Sequence, residues 1–273
     1  MKKKMDDASV RKMVRKGYGQ VAVESSCGCG CGSAAPKEIS KTFGYSSKEM
    51  AEVPEESNLG LGCGNPVALA SLKKGEVVMD LGSGAGFDCF LAANRVGKTG
   101  KVIGVDMTSE MLDKARANAK KGGYSNVEFR LGEIENLPAA DCSVDVIISN
   151  CVINLAPDKS KVFREAARVL RKSGRLMVSD IVLTKPLPQK MMRSVGAYIG
   201  CISGATMRDD YLKTIEKAGF KSVKVVGESF FGLDYLETDR TIKEAGEGIG
   251  MTKKEIEGIA RSVLSIKVSA VRK

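Results

Sequence analysis

The chain of 273 residues contains no histidine and no tryptophan, and aromatic residues make up only 5% of it. The absence of histidine removes the most common general base and the most common metal ligand of proteins. Any chemistry must therefore rely on sulfur, on carboxylates or on a bound cofactor. No stretch approaches the roughly 20 apolar residues that a membrane-spanning helix needs, and the charged N-terminus lacks the apolar segment of a signal peptide. We expect a cytoplasmic protein that does not associate with membranes.

The net charge of +10 invites the interpretation that the chain binds nucleic acid. The basic residues are scattered, however, and no basic run contains the aromatic residues on which bases stack. A solvated basic surface without a nucleic-acid partner is therefore expected. Eight cysteines in a cytoplasmic chain argue against a disulfide framework and favour metal, metalloid or redox chemistry.

Strands and helices alternate regularly from Leu69 onward, which is typical of a parallel, doubly wound sheet. Strands are predicted at 76–81, 101–106, 127–131, 144–150, 175–182, 221–226 and 263–271, the last two as an antiparallel edge pair. Helices are predicted at 5–23, 86–95, 109–121, 158–171, 207–218 and 252–262. We divide the chain into an N-terminal helical and Cys-rich extension at 1–57, a cofactor-binding core at 58–204 and a C-terminal α/β segment at 205–273.

A glycine-rich turn connects the first predicted strand of the core to the helix after it. Gly82, Gly84 and Gly86 alternate there, behind Asp80. Glycines in a strand–turn–helix unit let the backbone approach a nucleotide closely. The spacing differs from the dinucleotide fingerprint, whose third glycine would stand at Phe87.

Two further elements follow this turn in the order that an adenosine ligand requires. Asp106 ends the next strand, twenty residues after Gly86, where a carboxylate can accept hydrogen bonds from both ribose hydroxyls. The segment 132–138, with Glu133 and Ile134, follows the third strand, where an adenine ring would lie. Together the three elements indicate an adenosine-containing cofactor.

This order resembles that of the class I S-adenosylmethionine methyltransferases. The resemblance covers residues 65–182 and implies a Rossmann-like, seven-stranded doubly wound α/β sheet with the cofactor above the first and fourth strands. The cofactor-binding residues expected on this basis are Asp80, Gly82, Gly84, Gly86, Asp106, Met107, Glu133, Ile134 and Asn150.

Three cysteines stand in loops that the predicted topology places near such a cofactor. Cys151 follows the fourth strand, at the point where the strand order of a doubly wound sheet reverses. Cys63 lies between Gly62 and Gly64, and Cys201 lies in the insertion after the fifth strand. Thiolates select soft centres, so the three would suit one soft ion. A zinc site and, for Cys151, a buried core position are the alternatives.

The chain also resembles the arsenite S-adenosylmethionine methyltransferases, in a short form. The segments that carry this resemblance are 18–22, 27–31, 58–66, 80–88, 149–155 and 200–205. The resemblance implies that Cys63, Cys151 and Cys201 bind trivalent arsenic. It also implies a further N-terminal cysteine, for which Cys27 is preferred over Cys29 and Cys31. Cys89 and Cys142 match nothing in the family and are expected to be structural.

The expected activity is methyl transfer from S-adenosylmethionine to thiolate-bound arsenic, which serves arsenic biotransformation and detoxification. Thioredoxin or a small thiol is expected as reductant, and the protein is expected to be a monomer. The alternatives are a small-molecule C- or O-methyltransferase of the quinone or sterol type, and a non-catalytic thiol protein that binds metalloids.

Overall fold

The computed structural model describes residues 6–24, 36–192, 194–230 and 252–273. The candidates Cys27, Cys29 and Cys31 lie outside these described residues. Within the described ranges, no helix has both the length and the apolar character needed to cross a membrane.

In the described part of the chain, seven strands form one sheet in the order β3-β2-β1-β4-β5-β7-β6. The first five are parallel, and the last two add an antiparallel edge. Their bounds are Val77–Leu81, Lys101–Asp106, Val127–Leu131, Val144–Asn150, Leu170–Leu183, Phe220–Phe230 and Val263–Arg272, for β1 to β7 in turn. The predicted doubly wound α/β architecture and the antiparallel pairing of the last two strands are confirmed.

The central strands β1 and β4 are apolar along nearly their whole length because helices cover both faces of the sheet. Met79 and Ile147 belong to the core on one face, and Val78 and Ile148 to the core on the other. The chain leaves β1 toward β2 and later returns to pair β4 with the opposite side of β1. This reversal opens a crevice at the carboxyl ends of β1 and β4.

Helices flank the sheet and also cover the crevice. Their bounds are Asp7–Glu24, Pro36–Thr42, Ser47–Ala51, Pro66–Leu69, Phe87–Val96, Ser109–Gly122, Lys159–Val169, Gln189–Met192, Val195–Ile199, Arg208–Lys217 and Lys253–Ala260, for α1 to α11 in turn. Sequence patterns predicted α1, α5, α6, α7, α10 and α11. The short helices α2, α3, α4, α8 and α9 were missed, because segments this short carry no clear periodicity.

The predicted helix at 158–171 ends earlier, at Val169, and the strand predicted from 175 begins at Leu170. Leu170 pairs with Val144 of β4, and the register shifts before Arg175 pairs with Val146. A neighbouring strand therefore determines the conformation here, which the local sequence does not reveal.

Candidate active site

An open cavity lies over the carboxyl ends of β1 and β4, as the topology predicts. It holds about 1120 Å³ of empty space, counting its open mouth. The glycine turn, the ends of β2 and β4, and the segment before β1 line it, and α1 contributes three side chains from the N-terminal side. The lining of α1 consists of Arg11, Val14 and Tyr18.

The glycine turn lines this cavity, and its backbone has positive φ angles that only glycine adopts readily. Gly82 has φ +68°, and a Cβ atom there would lie 2.4 Å from the side chain of Val152. Gly84 has φ +51°, and a Cβ atom there would meet no protein atom within 4 Å. A side chain at Gly84 would therefore project into the space left for a ligand. The two glycines thus differ, because a side chain would clash with the protein at Gly82 and would enter open cavity space at Gly84.

Asp106 is held at the rim by backbone donors. Its Oδ2 accepts a hydrogen bond from the N–H of Gly84 at 3.0 Å, and its Oδ1 accepts one from the N–H of Thr108 at 2.8 Å. Burial raises the pKa of this carboxyl group. Each oxygen keeps a free lone pair. The side chain is therefore fixed in position and still able to accept hydrogen bonds from a diol, as ribose recognition requires.

Most of the other predicted cofactor residues also line the cavity, namely Asp80, Met107, Ile134 and Asn150. Gly86 and Glu133 do not. Gly86 is the N-cap of α5, and a Cβ atom there would lie 2.8 Å from the ring of Phe90. Glu133 pairs with Arg11 at 3.2 Å, and Glu135, which sequence reasoning did not select, lines the cavity instead.

Two buried acids lie deeper in the cavity wall. Burial and the neighbouring charge of Asp88 raise the pKa of Asp80 well above its usual range. Burial raises the pKa of Asp88 to about 6, against hydrogen bonds from Tyr45 and Asn150. Sequence reasoning missed Asp88 and Tyr45. Asp88 could have been noticed as a polar residue in the first turn of an otherwise apolar helix. No local pattern indicates a role for Tyr45.

The loop that carries Cys63 packs tightly against the ends of β4 and β5. A Cβ atom on Gly62 would lie 2.6 Å from Nδ2 of Asn150, and one on Gly64 would lie 2.5 Å from Oγ of Ser179. The thiol of Cys63 donates to the carbonyl of Ser179 at 3.6 Å. The flanking glycines are therefore what allows this cysteine to reach the sheet.

Cys151 and Cys201 both have left-handed backbone, with φ +58° and +63°. This conformation costs a non-glycine residue roughly 1–2 kcal/mol, so surrounding contacts must hold it. The N–H of Cys151 donates to the carbonyl of Ser179 at 2.8 Å. The thiol of Cys201 donates to the carbonyl of Cys151 at 2.9 Å. Strained backbone of this kind clusters at functional sites.

The three thiols meet beside the cavity. The Cys151 thiol interacts with the thiols of both Cys63 and Cys201. The three side chains are 3%, 8% and 2% exposed, and Cys151 lines the cavity itself. Among the described residues, no three Cys, Asp or Glu side chains are already grouped as a metal-ion site. The thiols thus form a row with Cys151 in the middle.

All three thiols are protonated at neutral pH. Burial raises the pKa of the Cys63 thiol. The interaction with Cys151 is the largest cause that raises the pKa of the Cys201 thiol, and burial is the second. For Cys151, the bond with Cys201 lowers the pKa, but the contact with Cys63 and burial outweigh it. A soft ion would therefore have to displace these thiol protons in order to bind here.

A buried polar group stands behind the thiols. Asp180 is fully buried and accepts hydrogen bonds from Asn154 at 2.9 Å and from the hydroxyl of Tyr211 at 3.0 Å. Burial raises the pKa of Asp180 to about 7, against the attraction of Lys159. The proximity of this acid further raises the pKa of all three thiols.

The remaining described cysteines stand apart from this row. Cys89 is fully buried, and its thiol donates to Asp80 at 3.2 Å. Cys142 is exposed and contacts Arg272.

The known proteins to which this chain is similar agree with one another. Residues 72–219 match the family described as a methyltransferase domain. The arsenite methyltransferase of Halobacterium salinarum is 46% identical over 88% of this chain and 65% of its own length. The human arsenite methyltransferase is 34% identical over 86% of this chain and 64% of its own length. The chain thus spans less than two thirds of either of these relatives.

Among solved structures, the arsenic(III) S-adenosylmethionine methyltransferase of Chlamydomonas reinhardtii is 30% identical, with a TM-score of 0.62. The match covers 88% of this chain and 75% of that one. The sheet order, together with the matching family and this solved structure, defines the chain as a class I S-adenosylmethionine-dependent methyltransferase. Within that class, the chain belongs to the arsenite methyltransferase family.

Proposed function

We propose that this chain transfers a methyl group from S-adenosylmethionine to trivalent arsenic bound by Cys63, Cys151 and Cys201. The observation that carries the proposal is the row of three buried thiols from three separate loops, beside a cavity shaped for an adenosine ligand. Soft thiolates suit arsenic, and no histidine is needed to bind it.

The cavity residues fit the cofactor. Gly84 leaves room for a ligand against the backbone, Asp106 can accept hydrogen bonds from ribose hydroxyls, and Ile134 offers an apolar surface on which an adenine could pack. When bound, S-adenosylmethionine supplies an electrophilic methyl group on a sulfonium. Cys151 lies at the cavity wall and is the thiol placed to hold arsenic nearest to that group.

The thiols bind arsenite by ligand exchange. Each As–S bond replaces an As–O bond, and the thiol proton leaves with the hydroxide as water. Three exchanges release three waters and leave no net charge, which suits a buried site. Rotation of the cysteine side chains between rotamers turns the row into a three-sulfur set around the arsenic.

Catalysis then rests on positioning. With S-adenosylmethionine bound, the lone pair of arsenic would attack the methyl carbon, the bond from that carbon to the sulfonium sulfur would break, and S-adenosylhomocysteine would leave, so no proton has to be removed. Well-oriented reactants gain up to about 7–11 kcal/mol over free encounter. Attack through the lone pair oxidises arsenic from the trivalent to the pentavalent state. We assign the two electrons that restore the trivalent state to the two thiols of thioredoxin or to two molecules of a small thiol, which become a disulfide, while one cysteine of the enzyme leaves the arsenic as a free thiol.

Three expectations from the sequence complete the proposal. The enzyme works in the cytoplasm, where the thiols stay reduced. It acts as a monomer, and the N-terminal cysteine of the family falls on Cys27.

Arsenic speciation tests the proposal. The protein is incubated with arsenite, S-adenosylmethionine and either thioredoxin with its reductase or glutathione, and methylated arsenic is measured by chromatography with elemental detection. The Cys151→Ser variant is expected to form none and to bind S-adenosylhomocysteine normally. The Cys142→Ser variant is the matched control, because this thiol is exposed and apart from the row.

Methylated arsenic from the wild type and Cys142→Ser, but not from Cys151→Ser, supports the assignment. Equal activity of Cys151→Ser contradicts it. Cofactor binding without arsenic methylation would favour a quinol acceptor, and arsenic binding without cofactor binding would favour a non-catalytic metalloid-binding protein.

A further inference from the structure

Helix α1 places the hydroxyl of Tyr18 beside Cys201, at one end of the thiol row. The Tyr18 side chain lines the cavity, and its hydroxyl donates to the carbonyl of Ile199 at 3.3 Å. Ile199 stands two residues before Cys201, and the Tyr18 side chain also interacts with the Cys201 thiol. A helix from the N-terminal part of the chain therefore reaches the loop of one proposed arsenic ligand.

Packing and an ion pair hold α1 in this position. A Cβ atom on Gly17 would lie 3.0 Å from Cδ1 of Ile199, so the backbone of α1 packs closely against α9. Arg11, about two helical turns before Tyr18, pairs with Glu135 at 3.0 Å. The Tyr18 hydroxyl is thus carried by a helix that is anchored on either side of it.

The hydrogen bond that the Tyr18 hydroxyl makes to Ile199 is long. Bonds from a hydroxyl to an oxygen usually span about 2.5–3.0 Å, and lengthening weakens them. This one spans 3.3 Å. Rotation about the C–O bond can therefore redirect the hydroxyl proton from the carbonyl of Ile199 to the sulfur of Cys201 at little cost.

Arsenic binding would reverse the hydrogen-bonding role of the Cys201 sulfur. The thiol now donates to the carbonyl of Cys151 at 2.9 Å. Once an As–S bond replaces the S–H bond, the sulfur has no proton to donate and can only accept. Because Cys201 is only 2% exposed, solvent is a poor source of a donor. A buried acceptor without a donor weakens binding, so a hydroxyl beside this sulfur would stabilise the bound state.

The present electrostatics of Cys201 agree with a donor at this place. The interaction with Cys151, followed by burial, raises the pKa of the Cys201 thiol, whereas the interaction with Tyr18 lowers it. A hydrogen bond donated to a thiolate has this lowering effect. The Tyr18 hydroxyl is therefore placed to donate to the sulfur rather than to accept from it.

We propose that Tyr18 is a positioning residue, whose hydroxyl donates a hydrogen bond to the sulfur of Cys201 when that sulfur binds arsenic. The inference rests on the proposed function. The hydrogen bond holds the third sulfur of the row toward the arsenic, and it makes α1 part of the arsenic site.

Calorimetry on Tyr18→Phe tests the hydrogen bond, because this substitution removes the hydroxyl and keeps the ring. We expect arsenite binding to weaken by about fivefold or more, the usual effect of losing one hydrogen bond. Unchanged affinity for S-adenosylhomocysteine is the check on folding. Tyr198→Phe is the matched control, because its hydroxyl donates to the carbonyl of Leu155 at 3.2 Å. It should bind arsenite as the wild type does.

Ultraviolet absorption separates a hydrogen bond to sulfur from a general loosening of the loop. Arsenic bound to thiolates absorbs by charge transfer from sulfur to arsenic, and the absence of tryptophan lowers the protein background. A hydrogen bond to the sulfur withdraws electron density and moves such a band to shorter wavelength. At saturating arsenite, the band of Tyr18→Phe is expected at longer wavelength than that of the wild type, and the band of Tyr198→Phe at the wild-type position.

The outcomes separate this inference from the proposed function. Unchanged arsenite affinity in Tyr18→Phe, an equal loss in Tyr198→Phe, a parallel loss of S-adenosylhomocysteine binding or an unshifted band would each overturn the inference alone. A wild-type protein that binds no arsenite would overturn the proposed function and the inference with it. The expected differences in a protein that binds arsenite without methylating it would contradict the proposed function and support the role of Tyr18.

Discussion

The thiol of Cys201 donates a hydrogen bond to the backbone carbonyl of Cys151 at 2.9 Å, although 50 residues separate them in the chain. The contact holds the loop after α9 against the end of β4 and brings Cys201 next to Cys151, which lines the cavity. Both residues have left-handed backbone. The geometry of the thiol row therefore depends on how closely these loops pack.

Gly204→Ala tests this packing. A Cβ atom on Gly204 would lie 2.0 Å from the carbonyl oxygen of Asn154, so the loop with Cys201 must move away. We expect arsenite binding to weaken about tenfold or more, with S-adenosylhomocysteine affinity unchanged, by calorimetry. Gly97→Ala is the control for general destabilisation, because it is strained at φ +69° but meets no atom within 4 Å. Unaltered arsenite affinity in Gly204→Ala would contradict the role of this packing.

Gly82→Ala is expected to lower thermal stability, whereas Gly84→Ala is expected mainly to weaken ligand binding. The first places a methyl group 2.4 Å from Val152 and should lower the melting temperature by several degrees. The second meets only open space, so its cost is the backbone strain of roughly 1–2 kcal/mol. It should nevertheless weaken S-adenosylhomocysteine binding, because the methyl group occupies ligand space. Thermal unfolding and calorimetry on both variants check this, and identical behaviour of the two would refute it.

Asp106→Ala is expected to weaken S-adenosylhomocysteine and 5′-methylthioadenosine equally, by about tenfold or more. Both ligands present the same ribose hydroxyls, and hydrogen bonds to a charged group contribute about 1.5–3 kcal/mol. The substitution also removes the acceptor of the Gly84 and Thr108 N–H groups. A loss confined to S-adenosylhomocysteine would show that this carboxylate faces the amino-acid end instead.

Asp180→Asn is expected to reduce the pH dependence of stability. Burial raises the pKa of Asp180 from 3.8 to about 7 in the folded protein. The folded state thus retains the proton more readily, so this group favours folding at low pH and loses that contribution as pH rises through about 7. Above pH 7, ionisation of this buried carboxyl group lowers the free energy of unfolding by at most roughly 4 kcal/mol.

The asparagine oxygen can still accept the hydrogen bond from Asn154, and its NH₂ group can donate to the hydroxyl oxygen of Tyr211, which now donates to Asp180. Melting temperatures at pH 5 and pH 8 provide the measurement. The wild type should lose more stability between these values than the variant, and equal losses would contradict the assigned pKa.

The sequence was sufficient for the elements that rest on strong local patterns. Apolar runs identified β1 to β4 within about a residue, and the position of Cys151 at the reversal point followed from topology alone. Asp88 and Tyr45 were missed because their hydrogen bond joins residues 43 apart in the chain. The start of β5 was also misplaced, because Leu170 takes its conformation from Val144 of the neighbouring strand.

The sequence by itself determined the alternation of strands and helices, the glycine turn and the absence of histidine, since these are properties of local residue order and composition. Only the tertiary structure decided which side chains meet. It joined Cys63, Cys151 and Cys201 into one row and placed Asn150 between Asp88 and the Cys63 loop. Such contacts depend on the packing of distant segments within fractions of an ångström, and no local pattern encodes that distance.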